Sequence, residues 1–269
     1  MQKEFYTNIS PLRYPGGKTR ACSKLDLIFN EHFNKNEIKV VLSPFFGGGS
    51  FEFFLQNKYN FEIIANDKFT PLYNFWKICK DKNEKLCDKL YKINDISKDT
   101  FTNFRNIILE ESNKLKKAMY YFVINRCSFS GATLSGGFSE EASKKRFTKS
   151  SIDKIKSLKL DKFKITNKDC NEFINEYHET LNAFIFLDPP YYLEKGSKLY
   201  GTKGDMHETF DHAKLFESLS NKKNWMLTYN DCPYIRNLYK DFIIVDVDWS
   251  YGMNKSKKSS EIVIVSANN

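Results

Sequence analysis

Residues 183–192 read Ala-Phe-Ile-Phe-Leu-Asp-Pro-Pro-Tyr-Tyr. Five apolar residues without alternation make a strand apolar on both faces, which belongs in the interior of a largely parallel sheet covered by helices. The two prolines end that strand, since neither donates to a ladder, and Pro189 holds Asp188 in extended geometry. A carboxylate, main-chain carbonyls and an aromatic ring are thus presented together at the carboxyl end of a central strand. In open α/β sheets ligands bind there. A strand followed by a proline-rich turn without a ligand is the simpler alternative, and the rest of the chain decides between them.

Two earlier stretches have the same form. Ile38–Leu42 is a short apolar strand that runs into Ser-Pro-Phe-Phe-Gly-Gly-Gly-Ser (43–50) and then an apolar helix from Phe51. Strand, glycine-rich turn and helix open a nucleoside or dinucleotide site, because glycine lets the backbone turn tightly and approach a ligand. The spacing is not G-x-G-x-x-G, so a pyrophosphate is not implied, and a glycine hinge is the alternative. Phe61–Ala65 is the next strand and ends in Asn66-Asp67. Asp67 lies about twenty residues past the glycine turn, where a carboxylate meets ribose hydroxyls in the βαβ scheme. Capping the following helix is its other use. Asp169 also follows a strand, Phe163–Thr166. The last strands are 224–230, 242–247 and 261–265.

Near the amino end, Tyr14-Pro-Gly-Gly-Lys18-Thr invites a phosphate-loop reading. That reading fails, because Leu12 stands where the first glycine of the loop is needed and no apolar strand precedes it. Gly17 and Lys18 can still bring a main chain and an ammonium to one carboxylate or phosphate.

Residues 69–160 change character. Helical patterns cover 72–90, 98–111 and 114–124, followed by a small-residue loop, 125–139, carrying Arg126 and Phe129. The basic stretch Lys144, Lys145, Arg146 and Lys149 comes next, and a second basic loop holds Lys255, Lys257 and Lys258. Cationic loops interleaved with aromatics suit nucleic-acid backbone and base contacts, although a solvated loop accounts for any single lysine. The net charge of +9 agrees with a polyanionic partner,. The segment 195–209 reads as a polar loop, and His207 and His212 as structural or surface groups. Six cysteines form no C-x-x-C pair and have no histidine at metal spacing, so free thiols and no metal are expected,. The first residues carry no apolar core and no apolar run reaches membrane length, so no signal peptide, no membrane span and a reducing cytoplasm are expected,.

Asp188 and the Pro189 carbonyl are able to accept two hydrogen bonds from an exocyclic amine, and Tyr191 to stack on its ring. With no metal cluster and no Ser-His-Asp or Cys-His set, hydrolytic chemistry has little support. At this point Tyr-Pro-Gly-Gly-Lys (14–18), Pro-Phe-Phe-Gly-Gly-Gly-Ser (44–50), Asn-Asp (66–67) and Asp-Pro-Pro-Tyr (188–191) together resemble the ordered motifs of the Dam-like, alpha-group adenine methyltransferases. Tyr14 departs from the Trp of several members but stays aromatic.

The resemblance implies an α/β fold with a mostly parallel, seven-stranded Rossmann-like methyltransferase sheet. Residues 1–68 and 161–269 would form a discontinuous catalytic domain, and 69–160 a mainly helical target-recognition insertion. It implies S-adenosylmethionine held by Tyr14, Gly17, Lys18, Phe45, Phe46, Gly47, Gly48, Gly49, Ser50, Asp67, Asp169, Cys170 and Asp188, with Lys18 near its carboxylate. Asp188, Pro189, Pro190 and Tyr191 would bind the target adenine, flipped from double-stranded DNA. A monomer, with or without a cognate restriction endonuclease, is expected. Methylation of the cytosine amine demands the same geometry, and a non-catalytic nucleic-acid-binding relative is the alternative from another class; RNA and protein acceptors remain further options.

Overall fold

The computed structural model describes residues 8–192, 210–248 and 260–266. Seven strands form one sheet: β1 Val40–Ser43, β2 Glu62–Asn66, β3 Phe163–Thr166, β4 Ala183–Leu187, β5 Trp225–Asn230, β6 Ile243–Asp248 and β7 Ser260–Val265. In space they run β3-β2-β1-β4-β5-β7-β6. The pairs from β3 to β5 are parallel, whereas β7 is antiparallel to both its neighbours. The chain order reverses between β1 and β4, which lie side by side with Leu42 beside Ile185. A crevice opens outside the strand ends at such a reversal.

All five residues of β4 are buried. The non-alternating run serves two helix layers at once. Phe184 and Phe186 pack on the layer containing α1 (Cys22–His32) and α2 (Ser50–Tyr59), with Phe184 edge-on to Phe29 and Phe33 and Phe186 edge-on to Phe51. Ile185 and Leu187 face the opposite core, with Phe173 and Ile174 of α9 (Cys170–Tyr177) and Leu215 and Leu219 of α10 (His212–Leu219). Ile235 and Tyr239, in and just past α11 (Pro233–Leu238), complete that core.

Between β2 and β3 stand six helices: α3 Thr70–Asp81, α4 Asn83–Tyr91, α5 Lys98–Ile107, α6 Lys114–Cys127, α7 Glu140–Arg146 and α8 Lys149–Lys156. The helical pattern over 72–90 is two helices, because Lys82 leaves helical geometry at φ −143° and ψ 36°. The basic stretch 144–149 is not a loop, as its composition implies. Ser139 caps α7, whose acids sit in the first turn and bases in the last, as the helix dipole favours,. Thr148 and Ser151 form a capping box on α8,. The apolar faces of α3, α4, α6 and α8 join the α1–α2 core, so packing is continuous from this helical segment to the sheet. No helix among the described residues is long and apolar enough to cross a membrane.

A buried acid borders the site end of β1. Glu52 of α2 is buried and accepts from the Ser43 hydroxyl at 2.5 Å. Burial pushes its carboxyl up from 4.5 to about 7, with the Ser43 bond pulling the other way,. Between those values the native state holds a proton that the unfolded chain has released. Glu52 therefore contributes stability that is complete below pH 4.5 and is lost as pH rises through 7,. Glu52→Gln removes this dependence. In urea denaturation at pH 4.5 and pH 8, wild type should lose about 3 kcal/mol more than the variant,. Equal losses would show that this carboxyl is not the group being titrated.

Candidate active site

The sheet reversal brings three sequence motifs to one place. Lys18 begins a short 3-10 turn, Lys18–Arg20, and its ammonium reaches Asp188 at the end of β4. The distances are 2.7 Å to Oδ1 and 2.8 Å to Oδ2, with a third bond to the Gly16 carbonyl at 3.0 Å. Lys18 is 3% exposed and Asp188 24%, so the charged pair is sealed on the lysine side and open on the other. The ammonium also lies 5.1 Å from the centre of the Tyr191 ring.

The glycine turn after β1 is shaped by its neighbours. Gly47 has φ +48°, and a Cβ there would sit 2.8 Å from the Tyr14 ring; a Cβ on Gly48 would also meet Tyr14 at 2.8 Å. Tyr14 thus lies flat against the turn, which explains why neither position tolerates a side chain. Thr19 and Ser50 share a hydroxyl bond of 3.0 Å, which further fastens the amino-terminal motif to the start of α2. Asp67, half-buried, receives the Gly47 amide on Oδ2 at 3.0 Å and the Phe69 amide on Oδ1 at 2.9 Å. Burial pushes its carboxyl up to about 6 despite those two bonds. Asn66, fully buried, donates to the carbonyls of Pro44 and Lys168 and accepts from the Lys168 amide. It thereby sets the spacing between the turns that follow β1 and β3.

Asp169 caps α9 through the Asn171 amide at 3.0 Å and pairs with Lys68 at 2.9 Å. Burial alone would raise this carboxyl, but the Lys68 and Asn171 bonds hold it below the usual range. Cys170 is buried beside it, and burial pushes its thiol up to about 12, which makes it inert,. Phe45 is half-buried and packs edge-on to Phe210, while Phe46 turns into the core against Trp76. Tyr191 donates to Glu261 of β7 at 2.7 Å. Tyr192 stacks on Tyr234 and meets the buried ring of His212, whose Nδ1 shares a 2.7 Å bond with the Tyr229 hydroxyl.

Of the cationic candidates, Lys144 and Lys145 are held by Glu140 and Glu141 one turn earlier on α7. Arg126 is half-buried and donates to the carbonyls of Pro11 and Arg146. Burial, followed by Arg13 and Arg146, pulls it down to about 10. Arg13 thus joins this guanidinium group. Asn125 fastens Arg13 by two bonds, from the Arg13 amide at 3.0 Å and to the Arg13 carbonyl at 2.7 Å. Phe129 stands 71% exposed in the adjoining loop. Lys149 is exposed at the start of α8. Lys255, Lys257, Lys258, His207 and the segment 195–209 lie outside the described residues.

Sequence reasoning passed over Glu52, Thr228, Asn230 and Glu261. Each is a polar side chain in or bordering an apolar run, and that interruption is a readable signal. Among the described residues no group of acids, cysteines and histidines has metal-ligand geometry.

Gly47→Ala should distort the turn, since the Tyr14 ring and the positive φ both oppose it. A loss of at least about 1 kcal/mol in urea denaturation is expected. Combining it with Tyr14→Ala should recover part of that loss, and strictly additive losses would exclude the contact as the cause.

A family model for the D12 class N6 adenine-specific DNA methyltransferase matches residues 14–253, which takes in every motif described above. The type II methyltransferase M.MjaIII of Methanocaldococcus jannaschii is 24% identical over 261 residues, covering 88% of this chain and 89% of that protein. The matched span includes the strand ends that place a carboxylate, a glycine turn and an aromatic ring together. This chain belongs to the D12 class N6 adenine-specific DNA methyltransferases.

Proposed function

We propose that the ends of β1, β2 and β3 hold S-adenosylmethionine and that Asp188 to Tyr191 hold an adenine flipped out of double-stranded DNA. The observation that carries this reading is the Lys18–Asp188 pair, in which the amino-terminal motif and the Asp-Pro-Pro-Tyr motif meet at one open-sided carboxylate. The donor set suits a nucleoside with an amino-acid tail. Asp67 has one main-chain amide on each oxygen and keeps lone pairs for ribose hydroxyls,. Phe45 offers a half-buried ring, with Asp169 and Cys170 at the neighbouring strand end. Tyr14, Gly17 and Phe46 to Ser50 shape the turn that would enclose the donor.

When bound, S-adenosylmethionine supplies a methyl group on a sulfonium, a good leaving group. The residues of this chain supply position and charge. The adenine amine is a poor nucleophile because its lone pair is delocalised into the ring. Acceptance of its two N–H bonds by Asp188 and the Pro189 carbonyl would make the nitrogen pyramidal and aim the lone pair at the methyl. Asp188 would also offset the positive charge that grows on the nitrogen. Lys18 neutralises Asp188 in the present arrangement; a donor carboxylate beside Lys18 would return that negative charge to the reaction. Tyr191, steadied by Glu261, would stack on the base and offset about 1–3 kcal/mol of the cost of flipping,.

Residues 1–68 and 161–269 form the catalytic part in this reading, and 69–160 the target-recognition part. Arg13, Arg126 and Arg146 repel one another at close range, a cost that a phosphate would relieve,. Phe129 beside them is placed to stack on a base. Lys149 and the loop Lys255, Lys257 and Lys258 would add backbone contacts, while the glutamate pairing of Lys144 and Lys145 reduces their share. The enzyme would act as a cytoplasmic monomer. A restriction endonuclease of the same target sequence would accompany it, as the type II name of the relative favours.

Methyl transfer from labelled donor to duplex DNA tests the site. Asp188→Ala should lower kcat by about a hundredfold or more while calorimetry still detects donor binding. Full activity in that variant would end the proposed mechanism. Arg146→Ala and Lys149→Ala should each reduce the slope of log binding constant against log salt by about 1. Slopes equal to wild type would remove these residues from the DNA interface.

A further inference from the structure

The side chains beneath Asp188 carry one more assignment. β5 pairs parallel with β4 in the register Leu187 beside Leu227, which sets Thr228 next to Asp188. Thr228 is fully buried in an otherwise apolar stretch of strand, Trp-Met-Leu-Thr-Tyr. Its hydroxyl lies 2.6 Å from Asp188 Oδ1 and 3.4 Å from the Leu187 carbonyl. A hydroxyl has one proton to give, and the shorter contact to a charged acceptor takes it. Two residues on, and therefore on the same face of the strand, Asn230 donates to the Tyr192 carbonyl at 2.8 Å,. β5 thus braces the Asp188–Tyr192 turn at both ends.

The bonds to Asp188 decide which oxygen is left for a substrate. A carboxylate offers about four lone-pair positions, two on each oxygen. Among the described residues, Oδ1 receives Thr228 and Lys18, which fills its two lone-pair positions, and Oδ2 receives Lys18. We infer that Thr228 is a positioning residue for the methyl transfer, which closes Oδ1, prevents the carboxylate from rotating and leaves Oδ2 as the one oxygen that accepts the adenine amine. The inference rests on Asp188 being the amine acceptor. It adds that the regiochemistry of that acceptance is set by a neighbouring strand and not by the Asp-Pro-Pro-Tyr motif itself. Without the hydroxyl, the amine is free to settle on either oxygen, and its lone pair no longer has a single direction. Orientation of this kind governs the chemical step more than binding.

The test is single-turnover methylation of duplex DNA with saturating S-adenosylmethionine, which isolates chemistry from product release. Thr228→Val keeps the shape of the side chain and removes the donor; Thr228→Ser keeps the donor. The expected result for Thr228→Val is a single-turnover rate about tenfold to a hundredfold below wild type, with Kd for DNA and for S-adenosylmethionine within about threefold. Thr228→Ser should return the rate to within about threefold of wild type. A wild-type rate in Thr228→Val overturns the inference, and so does a Thr228→Ser variant as slow as Thr228→Val, which would make the methyl group the important part. Should Thr228→Val fail to fold, Thr228→Ala replaces it in the same comparison. Asp188→Ala is run alongside. If it retains activity, the amine-acceptor reading fails; if it is inactive while Thr228→Val is not, the reading stands and only the role of Thr228 falls.

Discussion

The Asp188 carboxylate is the point on which the architecture converges. It sits one residue beyond a strand that is buried on all sides, so its main chain cannot move without disturbing both cores. Three parts of the chain distant in sequence reach it: the strand it terminates, the lysine of the amino-terminal motif and the threonine of the adjacent strand. A carboxylate and an ammonium withdrawn from water cost several kcal/mol each, and their attraction repays this only with good geometry and further bonds. Lys18 has the Gly16 carbonyl and Asp188 has Thr228, so both partners meet that condition. The pair is therefore better understood as a device that holds the Asp188 carboxylate in a defined place than as a source of stability.

The same economy appears in the neighbouring acids. Glu52 and Asp67 are both pushed upward by burial, to about 7 and about 6. Each is held by hydrogen bonds to groups that shape the site, Ser43 at the end of β1 and the Gly47 amide in the turn. Charge buried near a functional cleft lowers stability, yet it organises the cleft before any ligand arrives, and pre-organisation is what an orientation-dependent reaction requires. The glycine turn follows the same rule. Its glycines accommodate Tyr14 and Phe46, so the turn is already packed to shape.

The helical segment between β2 and β3 is tied to this centre at several points. Trp76 of α3 donates to the Gly47 carbonyl at 2.9 Å, Lys80 to the Phe163 carbonyl at the start of β3, and Asn125 of α6 grips Arg13. Arg13 immediately precedes Tyr14, whose ring packs on the glycine turn, so the guanidinium group lies one residue from that contact. Contacts made by the basic face would thus be felt at the turn through a short, packed connection.

The architecture was legible in the sequence because local pattern and chain order carry it. A non-alternating apolar run, glycines after a strand and acids after strands announce a doubly covered parallel sheet, and the family motifs specify it further. That order placed Asp67 and Asp188 at strand ends, and the resemblance to a family added Lys18 and Tyr191 as candidates; the fold brings Lys18, Asp188 and Tyr191 together. Helix boundaries in 69–160 were less legible, since polar caps such as Ser139 and Thr148 look like loop residues until their amide partners are known. The contacts of Thr228, Glu52, Asn230 and Glu261 were hidden for a different reason. Each acts on a partner far away in sequence, across strand register or between layers, and register is a property of the assembled sheet. The linear chain determined which polar groups stand at which strand ends; only the folded sheet decided which of them meet, because the bonds that Asp188 receives depend on what the neighbouring strand places beside it.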